Sequence, residues 1–287
     1  MTQKGIHMNT ATIILIIIAS LVVITGIILL IAAIIEPHKL NVTNEALSDE
    51  AKSGKPDVRL LFFSDLHAEF CFIPKEKVAD LIRREASDKG LDAVIFGGDI
   101  INNPDKYELG VSYLSYIGDI CRELNIPFAG VNGNHDVKIP QKGIDACSFY
   151  NLGGKYTVLK SRNDGSDIAI SGVGDSGRKN RVWYDIPSVP DSCKKNILVA
   201  HNPDQILNIE DCSKVDFMLS GHIHGGQIRT PFRIEFTILR KDILPKHDII
   251  AGSYRLNGIA LFISRGIGCI RLPLRLKALP EVNIIEI

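Results

Sequence analysis

The residues of this chain able to do chemistry gather in five short stretches. These are "SDLH" with Asp65 and His67, "GGD" with Asp99, "GNHD" with Asn134, His135 and Asp136, "AHNPD" with His201, and "SGHIHGG" with His222 and His224. Five of the eight histidines fall there; His7, His38 and His247 do not, and read as surface or hydrogen-bonded residues. Each stretch alone is weak, since D-x-H is common in turns and G-D after a strand is a frequent helix cap. Together they supply carboxylate, amide oxygen and imidazole, a set that suits divalent Mn, Fe, Zn or Co rather than Ca or an all-sulfur site. The ligands are too many for one ion. A shared carboxylate lets two cations sit together, and Asp99 is best placed to bridge. Two cations roughly 3.5–4 Å apart can clamp the attacking and leaving oxygens of a phosphoryl displacement. They also lower the pKa of a bound water from about 15.7 toward about 7, so hydroxide exists at neutral pH without a protein nucleophile.

Short apolar runs must position these groups. "VRLLFFS" (58–64), "LDAVIFGGD" (91–99) and "PFAGVNGNHD" (127–136) read as buried strands. Helical patterns separate them at 74–90 and 105–125. This β-α-β-α-β alternation predicts parallel pairing under helices. Further strands are expected at 155–161, 167–175, 196–201, 215–222, 259–264 and 282–287, with a helix over 203–210 and a hairpin turn at "NDG" (163–165). The polar motifs end the strands, where open α/β sheets bind ligands. In "SGHIHGG" an extended backbone would send His222 and His224 to one side and Ile223 to the other. The glycines would allow close approach of the chain.

Composition narrows the class. Formal net charge is zero, which argues against a nucleic-acid polymer held by a broad basic field. The six cysteines are scattered without C-x-x-C and read as small buried hydrophobes. From Ala11 to Ile35 the chain carries no charge. Roughly 20 apolar residues cross a bilayer, and a cleaved signal core is shorter, about 7 to 15. The expected organisation is therefore a short segment at 1–10, a transmembrane anchor at 11–35, a polar linker at 36–56 and one catalytic domain at 57–287. The predicted location is single-pass in the cell membrane; the few lysines flanking the span do not orient it.

The set D-x-H, GGD, GNHD, H-N-P-D and G-H-x-H-G-G-Q resembles the calcineurin-like metallophosphoesterase superfamily. More narrowly it resembles its membrane-associated bacterial branch of YkuE- and YaeI-type phosphoesterases, from about Val58 to the C-terminus. The resemblance implies an α/β fold, a four-layer α/β/β/α sandwich, here preceded by the transmembrane helix. It implies one cation held by Asp65, His67, Asp99 and His224, and a second held by Asp99, Asn134, His201 and His222. His135 would contact phosphate and leaving group, oriented by Asp136. The implied reaction is attack of a metal-bridging hydroxide on a phosphodiester or pyrophosphate. A non-catalytic relative would have lost ligands, and none is missing; Asn134 and the histidine after it suit phosphate chemistry better than redox chemistry. The anchor points to a lipid-linked or nucleotide-containing substrate, as in the similar UDP-2,3-diacylglucosamine pyrophosphatases; a general phosphomonoesterase or protein phosphatase is the weaker alternative. Two basic stretches are candidates for anionic groups: Arg265 to Lys277, beside a membrane surface or equally a solvated edge next to core strands, and "SGRKNR" (176–181) as a phosphate-facing or merely exposed loop.

Overall fold

A computed structural model describes residues 9–177, 182–238 and 240–287. Residues 1–8 and most of the basic loop, 178–181, lie outside the described residues. The strands are β1 (Asn41–Ala46), β2 (Arg59–Phe63), β3 (Ala93–Phe96), β4 (Phe128–Gly130), β5 (Tyr150–Asn151) and β6 (Lys155–Lys160). They continue as β7 (Asp167–Val173), β8 (Lys195–Ala200), β9 (Phe217–Ser220), β10 (Gly252–Leu256), β11 (Ile259–Ile263) and β12 (Glu281–Glu286). The α-helices are α1 (Thr10–Ile35), α2 (Asp49–Lys52), α3 (Lys75–Asp88), α4 (Tyr107–Glu123), α5 (Gln141–Asp145) and α6 (Ile234–Thr237).

Two six-stranded sheets run β1-β12-β2-β3-β4-β5 and β10-β11-β9-β8-β7-β6. The β2-β3-β4 and β7-β8-β9 pairs are parallel, as βα alternation requires. β2 reads "RLLFF" with every residue buried, because both faces of its sheet are covered. Leu60, Phe62 and Ile95 of the first sheet meet Ile170, Val199 and Leu219 of the second. On the outer face of the first sheet, Leu61, Phe63 and Phe96 pack against Ile82 of α3 and Leu114 and Ile117 of α4. The outer face of the second sheet is covered differently. Leu198, Met218 and Leu261 lie under Ile206, Phe236 and Leu244, which come from 3-10 turns and the four-residue α6. The helix expected over 203–210 is a 3-10 turn at Pro203–Asn208. The "NDG" stretch closes the antiparallel β6–β7 hairpin.

The segment 36–56 is not a tether. Asn41 to Ala46 pairs in parallel with Glu281 to Glu286 as the edge of the first sheet. Its "NVTNEA" sequence is mostly polar because one edge of that strand faces solvent, so it carries no apolar run to betray it. Cys121, Cys147 and Cys269 are buried as expected, but Cys71, Cys193 and Cys212 are partly exposed, and all six are free. Helix α1 has 26 residues, its most apolar 18-residue stretch has a mean hydropathy of 3.3, and its large apolar side chains are exposed. It is one helix long and apolar enough to cross a membrane, a property a signal sequence shares.

Asp57 ties the two sheets at their lower edge. It is fully buried and accepts from Ser161 Oγ at 2.6 Å, Asn163 Nδ2 at 2.9 Å and Lys194 Nζ at 2.9 Å, with Lys195 Nζ at 2.8 Å. Burial alone would push its carboxyl up, but these donors outweigh burial and hold it well below the usual carboxylate range. A depressed folded pKa gives stability that is full above the unfolded value of about 3.9 and is lost as pH falls below it. Asp57→Asn is expected to cost roughly 3 kcal/mol near neutral pH. Thermal unfolding at stepped pH should show the gap to wild type narrowing below about pH 4.

Candidate metal centre

The strands deliver their polar groups where their backbones turn. Asp65 and His67 follow β2, Asp99 follows β3, Asn134 to Asp136 follow β4, His201 follows β8, and His222 and His224 follow β9. Five of these residues adopt left-handed backbone: Asp65 (φ 52°), His67 (φ 38°), Asp99 (φ 61°), His222 (φ 70°) and His224 (φ 54°). Such angles are costly outside glycine and concentrate at functional sites. They also correct the extended reading of "SGHIHGG". His222 and His224 diverge through a tight turn, with Ile223 at φ −83° between them, not through strand alternation. Ile223 still packs into the core. Gly221 and Gly133 are needed for closeness: a Cβ at Gly221 would lie 2.3 Å from Asp65 Oδ2, and one at Gly133 2.2 Å from Asp99 Oδ1.

The side chains form two buried groups. Asp65, His67 and His224 offer donor atoms within 4.8 Å of one another, and so do Asp99, His201 and His222. His67 Nε2 is 3.1 Å from His224 Nε2, and His201 Nε2 is 3.3 Å from His222 Nδ1. Asp99 joins the groups: its Oδ2 lies 3.1 Å from His201 Nε2 and 3.5 Å from His67 Nε2. Its Oδ1 accepts from the His135 amide at 2.8 Å. Asp65 Oδ1 lies 3.2 Å from His224 Nε2.

Outer contacts fix which ring nitrogens point inward. A backbone carbonyl accepts only from an N–H, so Ile101 O against His67 Nδ1 (3.3 Å) and Gly97 O against His201 Nδ1 (2.8 Å) leave both Nε2 lone pairs facing the centre. His222 donates Nε2–H to Asp242 Oδ1 at 3.2 Å, leaving Nδ1 inward. His224 differs: its Nδ1 faces the Arg275 guanidinium at 3.5 Å. Burial pushes His67 down to about 3 and His222 to about 4, and it also drives His224 well below its usual value. These imidazoles are neutral at pH 7, as ligands must be. At His201 burial opposes charge, yet Asp99 beside it, with Asp65 and Asp175, outweighs burial and raises it to about 10. The field at this spot favours a cation.

The donors therefore fit divalent cations. Asn134 Oδ1 and His135 Nε2 are buried without a hydrogen-bond partner. Buried polar atoms are rarely left so, which fits an amide oxygen kept for a metal and an imidazole kept for substrate. All nine residues singled out by sequence reach this region, but one role changes. Asp136 does not orient His135: its carboxylate accepts from the backbone amides of Asp99 (3.0 Å), Ile100 (2.7 Å) and Gly133 (2.8 Å). It braces the GGD loop against the GNHD loop.

Sequence reasoning missed Asp242, Arg240 and Arg275. Asp242 is buried against His222, and Arg240 Nη2 donates to the His222 carbonyl at 2.8 Å. Neither belongs to a motif, so only the fold reveals them. Arg275 sits in the basic stretch 265–277 but neither faces a membrane nor lies in solvent: it is fully buried, donating to the carbonyls of Ala278, Arg265, Gly266 and Gly268. Arg265 of that stretch pairs with Glu281 at 2.6 Å. Asp242→Asn keeps shape but removes the carboxylate that sets His222. It is expected to weaken the second cation by about 10- to 100-fold, read as a loss of one ion per chain in metal titration.

Comparison with known proteins adds independent support. A family model described as calcineurin-like phosphoesterase matches residues 58–226. The chain is 30% identical over 266 residues to the uncharacterized metallophosphoesterase YkuE of Bacillus subtilis, covering 88% of this chain and 87% of that protein. It is 25% identical to the phosphodiesterase YaeI of Escherichia coli, covering 82% and 84%. It is 26% identical to an uncharacterized metallophosphoesterase of Aquifex aeolicus, covering 88% and 94%.

Proposed function

The chain belongs to the calcineurin-like phosphoesterase family, whose members are metal-dependent phosphoester hydrolases, and from that premise we propose a membrane-anchored enzyme that cleaves a phosphodiester or pyrophosphate bond in a lipid-linked or nucleotide-containing substrate. The observation that carries this reading is the pair of buried donor groups sharing Asp99 Oδ2. Asp65, His67, Asp99 and His224 would hold one divalent ion, and Asp99, Asn134, His201 and His222 the other. Two such ions supply Lewis-acid polarisation of a phosphoryl oxygen and an activated water at neutral pH. The ions are Mn, Fe or Zn by donor type.

The protein's own groups do the rest. His135 meets the phosphoryl group or the leaving oxygen through Nε2, neutralising charge or delivering a proton there. Asp136 holds the loops that carry Asp99 and His135 in register. Asp242 fixes the ring of His222. The relative YaeI is named a phosphodiesterase, which favours a diester over a monoester. Exposure of the apolar α1 side chains supports an anchor, and the location proposed with it is single-pass in the cell membrane.

Hydrolysis of bis-p-nitrophenyl phosphate and p-nitrophenyl phosphate with Mn²⁺, with and without chelator, tests the reading. Chelator-sensitive cleavage favouring the diester is expected. Hydrolysis of neither ester under any metal would contradict it.

A further inference from the structure

The end of α1 is fastened directly to the loops that surround the metal centre. Ala33 is buried, and its carbonyl accepts from the Arg275 amide at 3.0 Å. The Glu36 side chain accepts from the Ala278 amide at 3.4 Å, and His38 lies against Phe72 with ring centroids 4.6 Å apart. Leu276 then pairs with the next loop: its amide donates to Gln227 O at 2.8 Å, and its carbonyl accepts from the Arg229 amide at 3.1 Å. Gln227 is three residues beyond His224, and its side chain also holds Ile270 and Leu272. An unbroken set of hydrogen bonds thus joins the apolar helix, the loop 270–278 and the loop 227–243.

Those two loops have an unusual surface. Phe232 is 92% exposed on a left-handed backbone (φ 60°), an arrangement a bulky residue adopts at a cost. Ile238 is 73% exposed and Leu272 54%, with Ile234 and Ile243 also exposed. Every exposed charge among the described residues of these loops is positive: Arg229, Lys241, Arg271 and Lys277. The two carboxylates of 227–243, Glu235 and Asp242, are buried. Apolar tips among cations suit the boundary between acyl chains and anionic headgroups.

Resting on the reading of α1 as a bilayer-spanning helix, we infer that the described residues of loops 227–243 and 270–277 form a second membrane contact. Phe232, Ile238 and Leu272 insert at headgroup depth, and Arg229, Lys241, Arg271 and Lys277 meet anionic phospholipid. The partner is a bilayer surface, because the loops are bonded to the end of a helix too apolar for water. The consequence is a metal centre held close to the height of lipid phosphates, with buried His224 three residues before the inserted loop 227–243.

The test uses the full chain reconstituted in vesicles of phosphatidylcholine and phosphatidylglycerol with brominated acyl chains. Trp183→Phe removes the native tryptophan, and Phe232→Trp reports the loop. Tyr156→Trp, on β6 at the sheet edge opposite β10, serves as the control. At least twofold quenching at position 232 with none at position 156 is expected. Absence of quenching at 232 in chains that resist carbonate extraction would overturn the inference. So would a detergent-solubilised dimer that Phe232→Asp converts to monomer, since a second copy would then cover the patch. Hydrolysis of soluble bis-p-nitrophenyl phosphate by the same vesicles is a separate readout: its loss would count against the proposed activity and leave the quenching result standing.

Discussion

Asp99→Ala is expected to strip both ions from the protein and to lower hydrolysis by about a thousandfold or more. Two metals supply several kcal/mol of transition-state stabilisation, and each tenfold in rate is about 1.4 kcal/mol. The effect is large because one carboxylate serves both donor groups, with Oδ2 within 3.5 Å of His67 Nε2 and His201 Nε2. Its other oxygen holds the His135 amide, so alanine also frees the GNHD loop. Asp99→Asn separates the two roles, since it keeps an acceptor for that amide and removes the charge. Metal analysis of both variants checks the account, which predicts fewer than one ion per chain in each. Retention of two ions in Asp99→Ala would rule out a bridging carboxylate.

His135→Ala is expected to behave in the opposite way, keeping two ions per chain while turnover falls about 10²- to 10⁴-fold, the usual range for a general acid. The structure separates His135 from the donor groups. Its ring stands edge-on to His67 at 5.1 Å between centroids, and its Nε2 is buried without a partner. The loss should therefore appear in kcat with metal content unchanged. The penalty should shrink for diesters with acidic leaving groups, which need no proton. Loss of an ion from this variant would make His135 a ligand instead.

The sequence announced the donor set because each group ends a strand, and strand ends are legible from short apolar runs. "VRLLFFSDLH" and "LDAVIFGGD" show both the strand and its cargo. What stayed hidden depends on contacts between distant segments. β1 is an edge strand of mostly polar residues, and only its pairing with β12, some 240 positions later, orders it. Asp242 and Arg275 gain meaning from the His222 and His224 rings that they touch, and no spacing along the chain records those contacts. The sequence pairs Asp136 with its neighbour His135 because adjacent polar residues invite it. A buried carboxylate instead turns to three backbone amides that would otherwise lack acceptors. The turn through His222 and His224 was hidden because left-handed backbone at non-glycine residues runs against propensity, which is common where a site demands it.

The central claim is that two divalent ions, held by two buried groups sharing Asp99, are required for phosphodiester cleavage. Its most direct test is a titration of metal content and bis-p-nitrophenyl phosphate hydrolysis on one preparation during chelation and Mn²⁺ restoration. The account predicts two ions per chain at full activity, activity that vanishes as they leave, and recovery only when both sites refill. Undiminished hydrolysis by metal-free protein, or full activity restored by a single ion per chain, would contradict it.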